Sequence, residues 1–270
     1  MHLIRLLHAF CVFLLCIMLC LPFTSAVAES EEHGLLRLHC FSFGKADAFL
    51  LTAEEGAVLI DCGLNGQGKE ISAYLKENGF TKLEALIITH FDKDHVGGAA
   101  KVLKSVPVGT VYQSNCPKDS SEYEKYLKTL DQLGIVPVTV REETVFSLGE
   151  VHFTILPPLQ ERYLSDDSNN SSLVTVVQAG EKRLLFTGDC EGERLFELLN
   201  ADLGHADLLQ IPHHGKWQVQ LPALLELTAP ECALITDSEE ESADYMTFYT
   251  LKQMDIPVCL TRTGPVDLIF

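Results

Sequence analysis

Short apolar runs dominate the chain from residue 35 onward, and most of them have the length of β-strands. The first three follow one another closely, at residues 35–41, 48–52 and 57–60, with a polar tight turn predicted at 54–56. Further strands are predicted at 86–89, 109–112, 136–140, 151–156, 173–178, 183–187, 208–211, 232–236, 257–260 and 266–269. The early strands therefore form hairpins, and the later ones are spaced widely enough for helices between them.

Segments with apolar residues at helical spacing lie between many of these strands. Helices are predicted at 68–78, from 97 onward, and at 122–133, 193–199, 222–227 and 243–254. Several strands are apolar throughout, as is expected when both faces of a sheet are buried. We predict two sheets packed face to face with helices outside; a single doubly wound parallel sheet is the alternative.

Residues 1–28 are predicted to be a signal peptide. Arg5 precedes an apolar run at 6–23, and Ala-Val-Ala at 26–28 offers the small residues that a signal peptidase reads. Cleavage would leave one domain at 29–270 with no membrane span. Because the run approaches spanning length, an uncleaved N-terminal anchor is the alternative. The chain is therefore expected to be exported, either secreted or held at the cell surface.

Net charge and cysteine spacing argue against some classes of partner and metal site. The formal net charge of -18 repels polyanions, so nucleic acid is an open but unfavoured partner. The candidate lysines for a local basic strip are Lys101, Lys104, Lys118, Lys125 and Lys128, although scattered solvated lysines are the simpler interpretation. No Cys-x-x-Cys spacing occurs, which argues against a thiolate zinc site. The sequence indicates neither a cysteine pairing nor an oligomeric state.

The most informative segment directly follows the predicted strand at 86–89. Within six residues it carries His90, Asp92, Asp94 and His95, and two glycines follow shortly after. Alternate residues of an extended segment point the same way, so the first three can converge, while His95 turns in as a helix begins. Two imidazoles and two carboxylates suit zinc, manganese or iron. A polar surface loop with capping aspartates is the alternative.

Two later loops add candidate ligands. Asp189 follows the predicted strand at 183–187, where it can bridge two metal ions or cap the next helix. His213 and His214 follow the strand at 208–211. Because adjacent histidines normally face apart, we expect one of them to bind metal and the other to face the substrate.

In this order, these segments resemble the metallo-β-lactamase superfamily, which also has a turn like Ile-Asp-Cys-Gly at 60–63. More narrowly, they resemble the soluble domain of the bacterial competence protein ComEC and its secreted stand-alone relatives. Phe-Gly-Lys-Ala-Asp-Ala at 43–48 and Asn-Ser-Ser-Leu-Val at 170–174 carry this narrower likeness. The resemblance covers residues 35–270 and implies an α/β fold, the four-layer αββα metallo-β-lactamase sandwich.

The resemblance also implies two divalent metal ions, with zinc favoured and manganese as the alternative. One ion is expected at His90 and Asp92 and the other at Asp94, His95 and His214, with Asp189 between them.

Five further residues are expected beside these ligands. Asp47 and Asp61 are expected to orient the ligand loops. Asn170 stands where many relatives have a metal-binding histidine, and a neutral amide would leave the first ion short of strong ligands. Ser172 follows in the same segment, and Lys216 stands where relatives often have serine, at a position expected to contact the substrate.

The implied reaction is hydrolysis by metal-activated water, with Asp94 or Asp189 accepting a proton and His213 donating one. A small or polymeric phosphodiester is the favoured substrate, and an extracellular nuclease is a narrower version of this hypothesis. The alternatives are hydrolysis of a β-lactam, lactone or thioester, and a catalytically idle metal-binding module.

Overall fold

The computed structural model describes residues 35–165 and 167–270. The predicted signal peptide at 1–28 lies outside these residues. Within them, no helix combines the length and the apolar character needed to cross a membrane.

The strands form two sheets of seven. In chain order they are β1 (Arg37–Cys40), β2 (Phe49–Ala53), β3 (Gly56–Ile60), β4 (Leu83–Ile88), β5 (Val108–Gln113), β6 (Val138–Thr139), β7 (Thr144–Leu148), β8 (Val151–Leu156), β9 (Val174–Ala179), β10 (Lys182–Phe186), β11 (Leu208–Gln210), β12 (Cys232–Ile235), β13 (Val258–Leu260) and β14 (Val266–Ile269). The first sheet has the order β14-β1-β2-β3-β4-β5-β6, and the second has β13-β12-β11-β10-β9-β8-β7.

Each sheet has an antiparallel half and a parallel half. In the first sheet, β14, β1, β2 and β3 pair antiparallel, and β3 to β6 pair parallel. In the second sheet, β7 to β10 pair antiparallel, and β10 to β13 pair parallel. The parallel halves place the carboxyl ends of several strands at one edge, where ligands commonly bind in α/β folds.

The helices are α1 (Gly68–Glu77), α2 (Lys93–Val96), α3 (Ala99–Ser105), α4 (Ser121–Leu133), α5 (Asp167–Asn170), α6 (Gly192–Leu198), α7 (Pro212–Gly215), α8 (Leu221–Thr228) and α9 (Tyr245–Gln253). The boundaries of α4 follow from local chemistry: the Ser120 hydroxyl accepts from Tyr123 N at the start, and Gly134 takes φ +66° at the end.

Three apolar clusters define the layers. The central one lies between the sheets and includes Leu51, Phe153 and Leu184. A second joins the outer face of the first sheet to α1, α3 and α4, and a third joins the second sheet to α6, α8 and α9. The prediction of a four-layer αββα sandwich is confirmed, and the single doubly wound sheet is excluded.

The prediction missed several short elements. The sequence pattern does not predict strand β7, an edge strand that pairs with β8, because Val145 and Ser147 are exposed and no continuous apolar run marks it. The strand predicted at 136–140 is reduced to Val138–Thr139. The loop predicted at 90–95 contains the one-turn helix α2, which begins directly after Asp92.

Candidate metal centre

The predicted ligands meet at the edge of the sandwich where the parallel strands end. His90, Asp92 and Asp94 follow β4, Asp189 follows β10, and His214 follows β11. Asp61, directly after β3, and Asp47, before the antiparallel strand β2, lie at the same edge and contact these ligands.

Glycines allow the ligand loop to approach the turn at residues 61–65. A Cβ atom on Gly98 would lie 2.1 Å from the Cys62 carbonyl oxygen, and one on Gly97 would lie 2.7 Å from Asn65 N. Both distances are shorter than any tolerable contact, so larger side chains would push the ligand loop away from the turn.

Asp189 is the central carboxylate of the cluster. Its Oδ1 lies 3.2 Å from His95 Nε2, and its Oδ2 lies 3.4 Å from His214 Nε2 and 3.9 Å from His90 Nε2. Burial alone would raise the pKa of Asp189, but the imidazoles of His214 and His95 outweigh it and hold that pKa well below its ordinary value. Asp189 is therefore an ionised carboxylate surrounded by three buried imidazoles.

Four buried ligand atoms lack a hydrogen-bond partner among the residues that the structure describes: His90 Nε2, His95 Nε2, His214 Nε2 and Asp189 Oδ1. Buried polar atoms are nearly always paired, so four converging exceptions call for an explanation. Candidate ligand atoms within 4.8 Å of one another occur in His90, His95 and Asp189, and again in Asp94, His95 and His214. Imidazole nitrogens and carboxylate oxygens are ligands for divalent transition metals, so the donor set fits such an ion.

Hydrogen bonds to Nδ1 fix the tautomers of two imidazoles, those of His95 and His214. His95 Nδ1 donates to Asp61 Oδ2 at 2.8 Å, and Asp61 also accepts from Thr89 N. His214 Nδ1 donates to Thr236 Oγ1 at 2.9 Å, and the Thr236 hydroxyl donates in turn to Asp47. When each ring is neutral, its proton lies on Nδ1, and Nε2 is then the nitrogen whose lone pair would be available to an ion in the cluster.

The pKa values of His95 and His214 are shifted in the direction opposite to that of His90. Burial acts to lower the pKa of both His95 and His214, but the carboxylate of Asp189 and the carboxylates behind the rings raise it well above the ordinary value. In contrast, burial and the neighbouring His95 lower the pKa of His90.

Asp92 is held by partners that the sequence did not indicate. Its Oδ1 accepts hydrogen bonds from Lys118 Nζ and the Ser168 hydroxyl, and lies 3.8 Å from His90 Nε2. Burial opposes ionisation, yet His90, Lys118 and Ser168 together lower the pKa of Asp92. Burial likewise opposes ionisation of Asp94, but the neighbouring imidazoles of His214, with Nε2 3.6 Å from Asp94 Oδ2, and of His95 lower the pKa of this carboxyl.

His213 and His214 adopt an unusual backbone conformation. Their φ angles are +48° and +54°, in the left-handed region that non-glycine residues rarely occupy. The His213 ring lies at the edge of the cluster, with Nε2 3.6 Å from Asp189 Oδ2 and Nδ1 hydrogen-bonded to Glu191 Oε1. Lys216 Nζ reaches the same Glu191 oxygen at 2.7 Å.

The two remaining predicted residues, Ser172 and Asn170, differ in whether their side chains face the cluster. Ser172 lies in the cluster, with its Oγ 3.3 Å from His90 Nδ1 and accepting from Asp189 N. The side chain of Asn170 does not face the cluster, because its Nδ2 donates to the Ser165 carbonyl and its Oδ1 accepts from Arg194 N. Asn170, at the end of α5, thus connects the Ser165 backbone to the start of α6.

Several functional partners were missed from the sequence. They are Lys118 and Ser168 on Asp92, Glu191 on His213, and Thr236 behind His214. Only Glu191 had a local signal, since it lies two residues after Asp189. The others are ordinary polar residues whose contacts exist only in the folded chain.

Comparison with known proteins identifies the family of this chain. The family model of the metallo-beta-lactamase superfamily matches residues 42–235. ComE operon protein 3 of Bacillus subtilis is 31% identical over 176 residues, which are 62% of this chain and 22% of that protein. Recombination protein 2 of Haemophilus influenzae is 29% identical over 226 residues, 82% of this chain and 26% of that protein. The chain therefore spans about a quarter of the length of these curated relatives.

A solved structure supports the fold. Zn(2+)-bound PqqB from Methylobacterium extorquens superposes with a TM-score of 0.55 at 15% identity, covering 83% of this chain and 87% of that one. The family match includes the segments that carry the candidate ligands from Asp47 to His214. The sequence match and the four-layer fold lead to one conclusion: this chain belongs to the metallo-β-lactamase superfamily, with the ComE operon protein and the recombination protein among its homologues.

Proposed function

We propose that this protein is an exported phosphodiesterase that holds two divalent metal ions, with zinc favoured and manganese as the alternative. The observation that carries the proposal is the convergence of three buried imidazole nitrogens on Asp189; among the described residues, neither they nor Asp189 Oδ1 have a hydrogen-bond partner. Membership of the superfamily supports a metal-dependent hydrolase. Export is proposed on the sequence of residues 1–28.

The residues that would hold the ions are the predicted ones: His90, Asp92, Asp94, His95, Asp189 and His214. When bound, divalent ions lower the pKa of water towards about 7 and stabilise negative charge that develops on the substrate. Asp61 and Asp47 hold the supporting imidazoles in the tautomer that such binding requires.

We propose that His213 holds a proton for the leaving group. Its Nδ1 is engaged by Glu191, which leaves Nε2 directed to the edge of the cluster near Asp189. Lys216, on the other side of Glu191, keeps a positive charge at the same edge. The half-exposed ammonium of Lys216 can also contact an anionic substrate group, which supports a phosphodiester.

The relatives' names favour the same substrate class. One of them is called a recombination protein, a name that we take as pointing to nucleic acid and hence to phosphodiesters. The net charge of -18 opposes long polyanions, so a short or small phosphodiester is the form we propose.

Metal reconstitution tests this function. We expect chelator-stripped protein to hydrolyse bis-p-nitrophenyl phosphate at least about tenfold faster after addition of zinc or manganese, because metal activation of water supplies the nucleophile. Nitrocefin and a thiolactone serve as comparison substrates. Faster turnover of either one would replace the phosphodiesterase proposal with the other hydrolase class. Metal binding without turnover of any of the three would indicate an idle metal-binding module.

Asp61→Asn tests the support of His95. Asparagine tolerates the φ of +56° at this position and can still accept from Thr89 N, but its amide would present a donor to His95 Nδ1. We expect metal affinity to fall about 10- to 100-fold, the usual cost of losing such a partner. Calorimetric titration measures this loss, and an unchanged affinity would show that Asp61 does not support the ligand. Glu226→Gln, at an exposed position on α8, is the control.

A further inference from the structure

Carboxylates support two of the three imidazoles in the candidate centre. His95 Nδ1 lies 2.8 Å from Asp61 Oδ2, and His214 Nδ1 lies 3.3 Å from Asp47 Oδ1. A carboxylate behind an imidazole makes the ring a more basic ligand and typically raises metal affinity 10- to 100-fold. Both supported rings lie on the side of Asp189 that also carries Asp94.

His90 has weaker support. Within the described part of the chain, its Nδ1 is in contact with two hydroxyls, Thr89 Oγ1 at 3.1 Å and Ser172 Oγ at 3.3 Å, and with no carboxylate. A hydroxyl polarises the ring less than an anion does. His90 is therefore expected to be the poorest of the three imidazole ligands.

The two aspartates of the ligand loop also differ. Asp92 Oδ1, the oxygen 3.8 Å from His90 Nε2, is already bonded by the Lys118 ammonium and the Ser168 hydroxyl. Lys118 is two-thirds buried, with 33% of its side chain exposed, so water screens this ion pair only in part. An ion beside His90 has to compete with this ammonium for the carboxylate and also meets its repulsion.

No such competitor stands on the other side. In the described ranges, neither Asp94 nor Asp189 forms an ion pair with a lysine or arginine, and their charged neighbours are histidines of the cluster. Both carboxylates are therefore free to act as ligands without displacing a cation of the chain.

We propose that the centre binds its two divalent ions unequally, tightly at Asp94, His95 and His214 and weakly at His90 and Asp92. Lys118 weakens the second position because it already neutralises Asp92. This inference rests on the metal-binding part of the proposed function and is independent of the substrate.

Calorimetric titration of Mn²⁺ into the chelator-stripped full chain tests the inequality. For the wild type we expect two binding events whose dissociation constants differ at least about tenfold. Lys118→Met keeps an unbranched apolar side chain and removes the ammonium. We expect it to tighten the weaker event about tenfold and to leave the tighter one within about threefold.

Lys125→Met is the matched control. It removes the same charge from an exposed lysine of α4 that is bonded to Asn65, away from Asp92, and should leave both events unchanged. A second variant, Asp92→Asn, keeps the test decisive if Lys118→Met fails to fold. It should remove the weaker event and spare the tighter one.

Several outcomes would overturn the inference: equal events in the wild type, a weaker event that Lys118→Met leaves unchanged or loosens, or loss of the tighter event in Asp92→Asn. If the wild type shows a single event, the inference survives only if Lys118→Met gains a second. Two unequal metal-binding events in a protein that hydrolyses no phosphodiester would contradict the proposed function and support this inference. Phosphodiesterase activity in a protein with two equal metal-binding events would support the proposed function and contradict this inference.

Discussion

Asp189→Asn is expected to lower phosphodiesterase turnover at least about 10³-fold while the fold stays intact. Asp189 is the one carboxylate within 4 Å of His90, His95 and His214 among the described residues, so its charge serves both halves of the centre. An amide of the same shape keeps the packing but loses the anionic ligand. A loss of about 4 kcal/mol in transition-state stabilisation corresponds to this factor.

The measurement is kcat on bis-p-nitrophenyl phosphate with saturating metal, with thermal unfolding as the check on folding. Asp202→Asn, at an exposed position between α6 and β11, is the control and should retain wild-type turnover. Retention of a tenth or more of the activity by a folded Asp189→Asn protein would contradict the central role of this carboxylate.

Glu197→Ala is expected to destabilise the protein by about 3–5 kcal/mol, the usual cost of leaving one partner of a buried ion pair unpaired. Arg194 is 2% exposed, and its Nη1 lies 2.7 Å from Glu197 Oε2. The same guanidinium donates to the carbonyl oxygens of Leu156 and Ser172. Without Glu197 its charge would remain buried with no carboxylate beside it.

Thermal unfolding measures this change, and we expect Tm to fall by about 10 °C for a domain of this size. Glu226→Ala removes an exposed carboxylate from α8 and should shift Tm by little. A loss below about 1 kcal/mol in Glu197→Ala would place the Arg194 pair among ordinary surface ion pairs. Because Arg194 also holds the Ser172 segment beside His90, the variant tests how the fold supports the site.

Local patterns in the sequence were enough to predict the architecture. Apolar runs of strand length and helical spacing between them depend on nearby residues, and they indicated the αββα sandwich that the structure has. An edge strand with one exposed face escaped prediction. This is strand β7, whose burial depends on β8 and on the position of the sheet edge.

The same division holds for the candidate centre. Four of the proposed ligands lie within six residues after a strand, so their chemistry was visible in the sequence itself. The direction of Asn170 was not visible, since it depends on the backbone of Ser165 and Arg194. The two adjacent histidines received roles only from the family resemblance, because their positions in the cluster depend on a left-handed backbone that no local pattern predicts.

The sequence by itself determined the fold class and the kind of ligands, because strand length, helical period and ligand spacing are written in neighbouring residues. Only the tertiary structure decided which groups support or neutralise each ligand. Thr236 reaches Asp47 across 189 positions, and Lys118 reaches Asp92 across 26. Such contacts follow from the packing of two sheets and their loops, which no local pattern encodes.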